Sequence, residues 1–102
     1  MPEVKRGQLE AAPEHLGKRH PSRAQVRDFL VVLLHEVCEI SSDRIKDTAT
    51  IDHDFEMESI QMVQLQVAME QEYDISLDFL EILRLNSFGP IVDYVHSLAS
   101  PP

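Results

Sequence analysis

The sequence predicts an all-α domain, a four-helix bundle with a long loop between helices I and II and a short helix III. Three observations lead there. Apolar residues recur at three- and four-residue spacing through two long segments, the mark of helices with a buried face. Val, Ile and Leu are plentiful, yet they do not alternate as half-buried strands would. Between these segments the period is lost in stretches rich in Ser, Thr and Asp. A chain of 102 residues has room for one domain, and 43% hydrophobic content supports a small core.

The elements follow in order. Residues 1–20 are polar, mixed in charge and without apolar period, and Pro2, Gly7, Pro13, Gly17 and Pro21 punctuate them. We read 1–21 as a flexible N-terminal tail, 22–99 as the folded domain and 100–102 as a C-terminal tail. Ser22 and Gln25 have capping-box spacing. Val26, Phe29, Leu30, Leu33, Leu34, Val37 and Cys38 then form a helical stripe, which predicts a first helix from about Arg23 to about Glu39. Residues 41–58 have no helical period. A connection this long is unusual in a compact domain and is often functional; Ile45, Ile51 and Phe55 are its expected anchors. A second helix is predicted from near Ser59 to about Glu72. Leu65, Ala68, Met69 and Tyr73 share one face, and Ile60, Val63 and Val67 an adjacent one. The second set is either buried too or a surface for a partner. A short helix is predicted over about Phe79–Leu83. Asn86 or Ser87 then caps a last helix, with Pro90 in its first turn and Phe88, Ile91, Val92, Val95 and Leu98 as its stripe.

Charge narrows the function. The formal net charge is −9. Residues 1–23 hold five basic and three acidic side chains, whereas the other 79 hold four and fifteen. Such a domain repels nucleic acid and anionic membranes. It attracts proteins that present Lys and Arg, unless the acidity serves only solubility. Cys38 is the sole cysteine, so no internal disulfide forms. Its place on an apolar stripe reads as core more readily than as a reactive thiol. The longest apolar run, Phe29 to Leu34, is too short for a bilayer. The N-terminus lacks a signal peptide's apolar stretch, so a cytoplasmic monomer without membrane insertion is expected. No Cys/His cluster has metal-ligand spacing and no Gly-rich phosphate loop occurs.

One constellation carries chemistry: Asp54-Phe55-Glu56-Met57-Glu58-Ser59-Ile60. A serine stands at the end of a long loop, at the start of a helix, directly after an acid. Helix N-termini present unpaired N–H groups and partial positive charge, so a phosphate ester on Ser59 is well placed. Taken alone, Ser59 reads far more readily as a helix cap.

From about Val26 to Leu98 the chain resembles the acyl carrier protein family. That family has a long first helix, a long loop, an Asp-Ser-Leu motif opening helix II, a short helix III and a closing helix. Here the motif reads Glu58-Ser59-Ile60. The apolar run that follows ends in Glu70-Gln71-Glu72-Tyr73, similar to the family's helix II, and Ser87-Phe88-Gly89-Pro90-Ile91-Val92-Asp93-Tyr94-Val95 is similar to its closing helix. The resemblance implies that Ser59 carries 4′-phosphopantetheine, installed from coenzyme A by a phosphopantetheinyl transferase. It implies a carrier with no catalysis of its own, whose arm holds acyl intermediates as thioesters. It implies partner contacts at Glu58, Ile60, Val63, Val67 and Glu70, with Glu72 a further ionic contact. It also implies an acyl pocket of Leu34, Ile51, Met62, Leu65, Met69 and Ile82, with Leu30, Leu77 and Leu85 as core or lining. The implied partners are the transferase and acyl-transferring, condensing or ligase enzymes with basic docking surfaces.

Three departures stand out. Glu58 replaces the family's aspartate, and Glu56 stands where the family has glycine, which puts the loop geometry there in question. Gln61, Gln64, Gln66 and Gln71 stand where carriers of fatty acid synthesis often have acids, a hint of specialised partners in a polyketide, fatty-acid-like or other pathway. Aminoacyl and peptidyl carriers share the fold and stay open. Two other classes compete. One is a small helical interaction domain without a prosthetic group. The other is an enzyme pairing Ser59 with His35, His53 or His96, for which nothing marks an oxyanion hole.

Overall fold

A computed structural model describes residues 21–99. Among these stand four α-helices: α1 (Arg23–Cys38), α2 (Ser59–Tyr73), α3 (Phe79–Leu85) and α4 (Phe88–Ala99). The fold is the all-α bundle expected, with the long loop and the short third helix in place. Of the two expected tails, residues 1–20 and 100–102 lie outside the described residues, while Pro21 is buried.

α1 begins on the expected capping box. Ser22 Oγ accepts from the Gln25 N–H at 3.1 Å, and Gln25 Oε1 accepts from the Ser22 N–H at 2.8 Å. Val26, Leu30 and Leu34, four residues apart, are its buried line. The helix stops at Glu39, whose φ of 58° is left-handed and whose N–H turns back to the His35 carbonyl at 3.0 Å. Cys38 is half-buried against the core, and burial pushes its thiol pKa up, which disfavours the nucleophilic thiolate.

α1 packs on both α2 and α4, and α3 packs on α4. The core runs through all four helices and the loop, with Val26, Val92 and Val95 fully enclosed. A charged seam closes one side. Arg23 is joined to Asp93, and the Arg27 Nε donates to Asp47 Oδ1 at 3.1 Å. The Arg27 guanidinium also lies 5.2 Å from the centre of the Phe88 ring. Gly89 is needed here for close approach, because its N–H donates to the Asp47 carbonyl at 2.9 Å and a Cβ would sit 3.0 Å from the Asp47 Cβ.

Residues 41–58 are more regular than their sequence suggests. Ser42–Arg44 form a 3-10 turn and Ile51–Phe55 a single π-helical turn. Local side chains build the second turn. Thr50 Oγ1 accepts from the His53 N–H at 3.3 Å, and Asp54 Oδ2 accepts from the Thr50 N–H at 2.8 Å. The turn closes where the Glu56 N–H donates to the Ile51 carbonyl at 3.0 Å. Ile45, Ala49, Ile51 and Phe55 are buried, so the loop contributes to the core like a fifth element. It is pinned to the start of α4 by an antiparallel bridge between Thr50 and Ser87.

The last third corrects two expectations. α3 runs to Leu85, and Asn86 ends it instead of opening α4: its φ is 62° and its N–H donates to the Ile82 carbonyl at 3.0 Å. Asn tolerates this conformation better than most residues, and the resulting turn frees its side chain to hold the loop. On α4, Leu98 is 40% exposed and Ala99 is buried, so the stripe closes on the smaller residue.

Candidate functional site

The candidate site begins with the way α2 starts. Glu58, at φ −79° and ψ 156°, is the N-cap, and Ser59 is the first residue inside the helix. The side chain of Gln61 supplies the cap, its Oε1 accepting from the Glu58 N–H at 2.9 Å. The Met62 N–H closes the first turn on the Glu58 carbonyl at 3.1 Å. Capping is therefore carried by Glu58 and Gln61. The Ser59 side chain is exposed, and among the described residues its hydroxyl has no hydrogen-bond partner. The reading of Ser59 as the helix cap is set aside by this geometry. What remains is an accessible hydroxyl beside the N–H groups of a helix N-terminus, where a phosphate ester gains from the helix dipole.

The backbone leading to Ser59 turns sharply at Glu56, whose φ of 49° is left-handed. The family's glycine position thus keeps a left-handed conformation here with a glutamate in it. That answers the question the sequence raised about loop geometry, at the cost of some strain.

Ser59 opens α2. Met62 stands one turn beyond it, and Leu65 and Met69 lie farther round toward the core, so Ser59 sits at the edge of the inward face of α2. Met62, Leu65 and Met69 line an apolar cavity of about 50 Å³ at the centre of the bundle. Leu34 of α1, Ile51 of the loop and Ile82 of α3 complete the six residues expected to form a pocket, and the structure gathers all six around this one cavity. Leu30 lines it as well. Leu77 is buried away from the cavity, and Leu85 is half-buried against the core. The sequence reading missed Phe55, Met57, Phe79, Phe88 and Ile91, which also line the space. Met57 and Met62 flank Ser59 in sequence and both reach the cavity, a signal that was present in the chain.

The residues expected to meet partners divide. Ile60, Val63 and Val67 are 60%, 47% and 44% exposed, so the second apolar set of α2 is a surface and the helix is not buried on two sides. Glu58 is exposed beside them. Glu70 stands apart from that set. It is half-buried, and its Oε2 accepts from the Leu77 N–H at 2.8 Å and from the Gln66 amide at 3.5 Å, clasping the turn into α3.

Among the described residues no histidine hydrogen-bonds to Ser59. His53 is on the loop surface, 3.9 Å from Asp52, and the His35 ring nitrogen approaches the Ile40 carbonyl at 3.3 Å. With no hydrogen bond to the Ser59 hydroxyl among the described residues, a serine–histidine nucleophile is not assembled. No helix among the described residues is long and apolar enough to cross a membrane.

Comparisons with known proteins point the same way. A family model described as "Phosphopantetheine attachment site" matches residues 28–95. The acyl carrier protein of Acidothermus cellulolyticus is 24% identical over 74 residues, covering 72% of this chain and 88% of that protein.

Proposed function

The chain belongs to the phosphopantetheine-attachment carrier family, and from that premise we propose that Ser59 is the hydroxyl that takes the arm. The chain is a carrier and not an enzyme, and its prosthetic group is covalent 4′-phosphopantetheine. The observation that carries the assignment to Ser59 is the uncommitted hydroxyl at the first residue of α2, with Glu58 and Gln61 doing the capping. When bound, the group supplies a terminal thiol that holds an acyl chain as a thioester. The protein's own residues do the rest. The first turn of α2 favours the phosphate's negative charge. Met62, one turn from Ser59, lines the central cavity together with Leu65 and Met69, which supports sequestration of an acyl chain there.

The partners in this reading are a phosphopantetheinyl transferase and acyl-transferring, condensing or ligase enzymes that reach Ser59 across Glu58, Ile60, Val63 and Val67. The cavity lining favours an acyl cargo over an aminoacyl one, since every residue that forms it is apolar. The glutamines of α2 favour specialised partners in a polyketide or fatty-acid-like pathway. Cavities of about 150 Å³ take up a benzene-sized molecule, so this smaller one must widen for a longer chain. Met57, Met62 and Met69 on its wall repack readily.

The test is intact mass after incubation with coenzyme A, magnesium and a broad-specificity transferase. The parent is expected to gain one phosphopantetheine and Ser59→Ala none. An unmodified parent with intact helical circular dichroism overturns the assignment.

A further inference from the structure

The short helix α3 walls the cavity while holding little of the core. Of its residues Phe79–Leu85 only Ile82 is buried, and Leu80 and Leu83 are 72% and 40% exposed. It packs on α4, and Phe79 and Ile82 face the central cavity. A helix this short is not stable by itself. An element with few buried apolar contacts opens at low cost, unless directed bonds hold it in place.

Those bonds are gathered at the entry to α3. The Leu77 N–H donates to Glu70 Oε2 at 2.8 Å, and the Leu77 carbonyl accepts from the Gln66 amide at 3.2 Å. Two side chains one turn apart on α2 thus grip both polar atoms of one residue. The Gln66 amide also reaches Glu70 Oε2 at 3.5 Å. From the other side, the Tyr94 hydroxyl of α4 accepts from the Asp78 N–H at 3.0 Å. Gln66 and Glu70 are both half-buried. So two of the glutamines that set α2 apart are spent inside the fold, Gln61 on the cap and Gln66 on this grip.

The cavity of about 50 Å³ must widen for a longer acyl chain, and α3 is the wall that burial holds least. We propose that Gln66 and Glu70 are positioning residues for the cargo: by gripping Leu77 they keep α3 closed on the cavity and so set the length of acyl chain that the bundle encloses. The inference rests on the carrier reading above and adds cargo length to it. Each enclosed methylene favours the folded carrier. Once the cavity is full, further methylenes enter only if α3 swings away, which breaks the bonds at Leu77 and Asp78. Until the gain exceeds that cost, they stay outside.

The probe is the Tm of carriers loaded with butanoyl, octanoyl or dodecanoyl arms from the corresponding acyl-coenzyme A, each measured against the carrier bearing the bare arm. Gln66→Met removes the donor to the Leu77 carbonyl and keeps an unbranched helix former. It is expected to fold, because an under-satisfied carbonyl is tolerated better than an orphan N–H. Tyr94→Phe weakens the same point from α4, and Glu70→Gln keeps an acceptor for the Leu77 N–H. In the parent the Tm gain should level off by octanoyl, and Glu70→Gln should keep that plateau. In Gln66→Met and Tyr94→Phe the gain should go on rising to dodecanoyl, by about 3–6 °C for each further methylene enclosed. Amide exchange in α3, read at Ile82, should quicken about two- to tenfold in the same two variants. A bond that serves stability alone lowers every Tm equally and leaves the gains unchanged. That result, or a parent whose gain never levels off, overturns the inference and leaves the carrier reading intact. A parent that takes up no arm overturns the carrier reading, and this inference with it.

Discussion

The loop of residues 41–58 and the helix that follows it reverse the usual division of labour. The loop buries its apolar residues: Ile45, Ala49, Ile51 and Phe55 are all in the core. The helix leaves three of its own in solvent. The loop takes its shape from directed bonds, Thr50 to His53, Asp54 to Thr50 and Asn86 across to Ile51, whereas α2 takes its shape from backbone periodicity and the burial of Leu65 and Met69. The difference teaches where selection for function acts. On the proposed reading the irregular segment holds Ser59 in place, while the regular segment leaves Ile60, Val63 and Val67 in solvent.

The sharpest way to break that comparison is to truncate one apolar residue in each region. Phe55 is buried and meets Phe88 edge to face at 6.3 Å between ring centres. Removing it should cost about 3–5 kcal/mol, as for other core aromatics. Small domains are worth roughly 5–15 kcal/mol in all, so Phe55→Ala should lower the urea midpoint severely or abolish the folded state. Val63→Gln on the regular helix should change the stability by less than about 0.5 kcal/mol, the usual range for an exposed site. Equal losses at the two positions, read from urea denaturation by circular dichroism, would show that the loop is only a tether and the comparison is mistaken.

A middle-sized effect comes from Asn86, which supports the loop from outside it. Its backbone and its Oδ1 both accept from the Ile51 N–H, at 2.9 and 3.1 Å, and its amide donates to Asp52 Oδ1 at 3.1 Å. Asn86→Ala removes the side-chain bonds and places alanine at a left-handed φ, so a loss of about 1–3 kcal/mol is expected. The same change has a pH signature. The hydrogen bond from Asn86 is the largest cause holding the Asp52 carboxyl below the usual carboxylate range, with a smaller contribution from Thr50. A depressed carboxyl stabilises the fold above its unfolded pKa, and that stability is lost as pH falls through the folded value. The acid limb of the stability curve should therefore be shallower in Asn86→Ala than in the parent. Denaturant titrations at pH 7 and at pH 3 to 4 read both effects. An unchanged acid limb would mean that the bond to Asp52 is not made in solution.

This pairing also explains what could be read from the chain. The helices were legible because their apolar residues repeat, whereas the six pocket residues were implied by the family resemblance and not by any period; the structure places all six on the wall of one cavity. The π-helical turn was not legible. Its order comes from Thr50, Asp54 and a residue more than thirty positions away, and no local period records such bonds. The sequence offers Asn86 or Ser87 as the cap of α4, since both open helices well; α4 starts directly after Ser87, and Asn86 closes α3 because it also tolerates positive φ. The ends of α1 and α2 were legible to within a residue, from the loss of apolar period, although Glu39 and Asp74 take the left-handed positions that glycine would have flagged; only α3 runs past its expected end, to Leu85 before Asn86. The cap of α2 was within reach, since Glu58 and Gln61 have capping-box spacing, but a serine beside them drew the assignment to itself.

The smallest effect tests the joint between the two regions. Glu56 stands at φ 49°, ψ 44°, with its side chain exposed and its N–H bonded to the Ile51 carbonyl. An L-residue pays roughly 1 kcal/mol or more to stay in this conformation, and glycine does not. Glycine in turn gives the unfolded chain more freedom, which takes back about 0.4–1 kcal/mol. Glu56→Gly should therefore be neutral or stabilising by up to about 1 kcal/mol, which is at most some 4–8 °C in Tm for a domain of this size. Charge confounds the result, because Asp52, Asp54 and Glu58 are exposed nearby in sequence and removing one acid relieves repulsion. Glu56→Gln separates the two, since it keeps the strain and drops the charge. If the glycine variant melts above the glutamine variant, the turn before Ser59 stores backbone strain as the geometry states. If it melts below, the left-handed turn is not held in solution, and the loop presents Ser59 by its buried anchors alone.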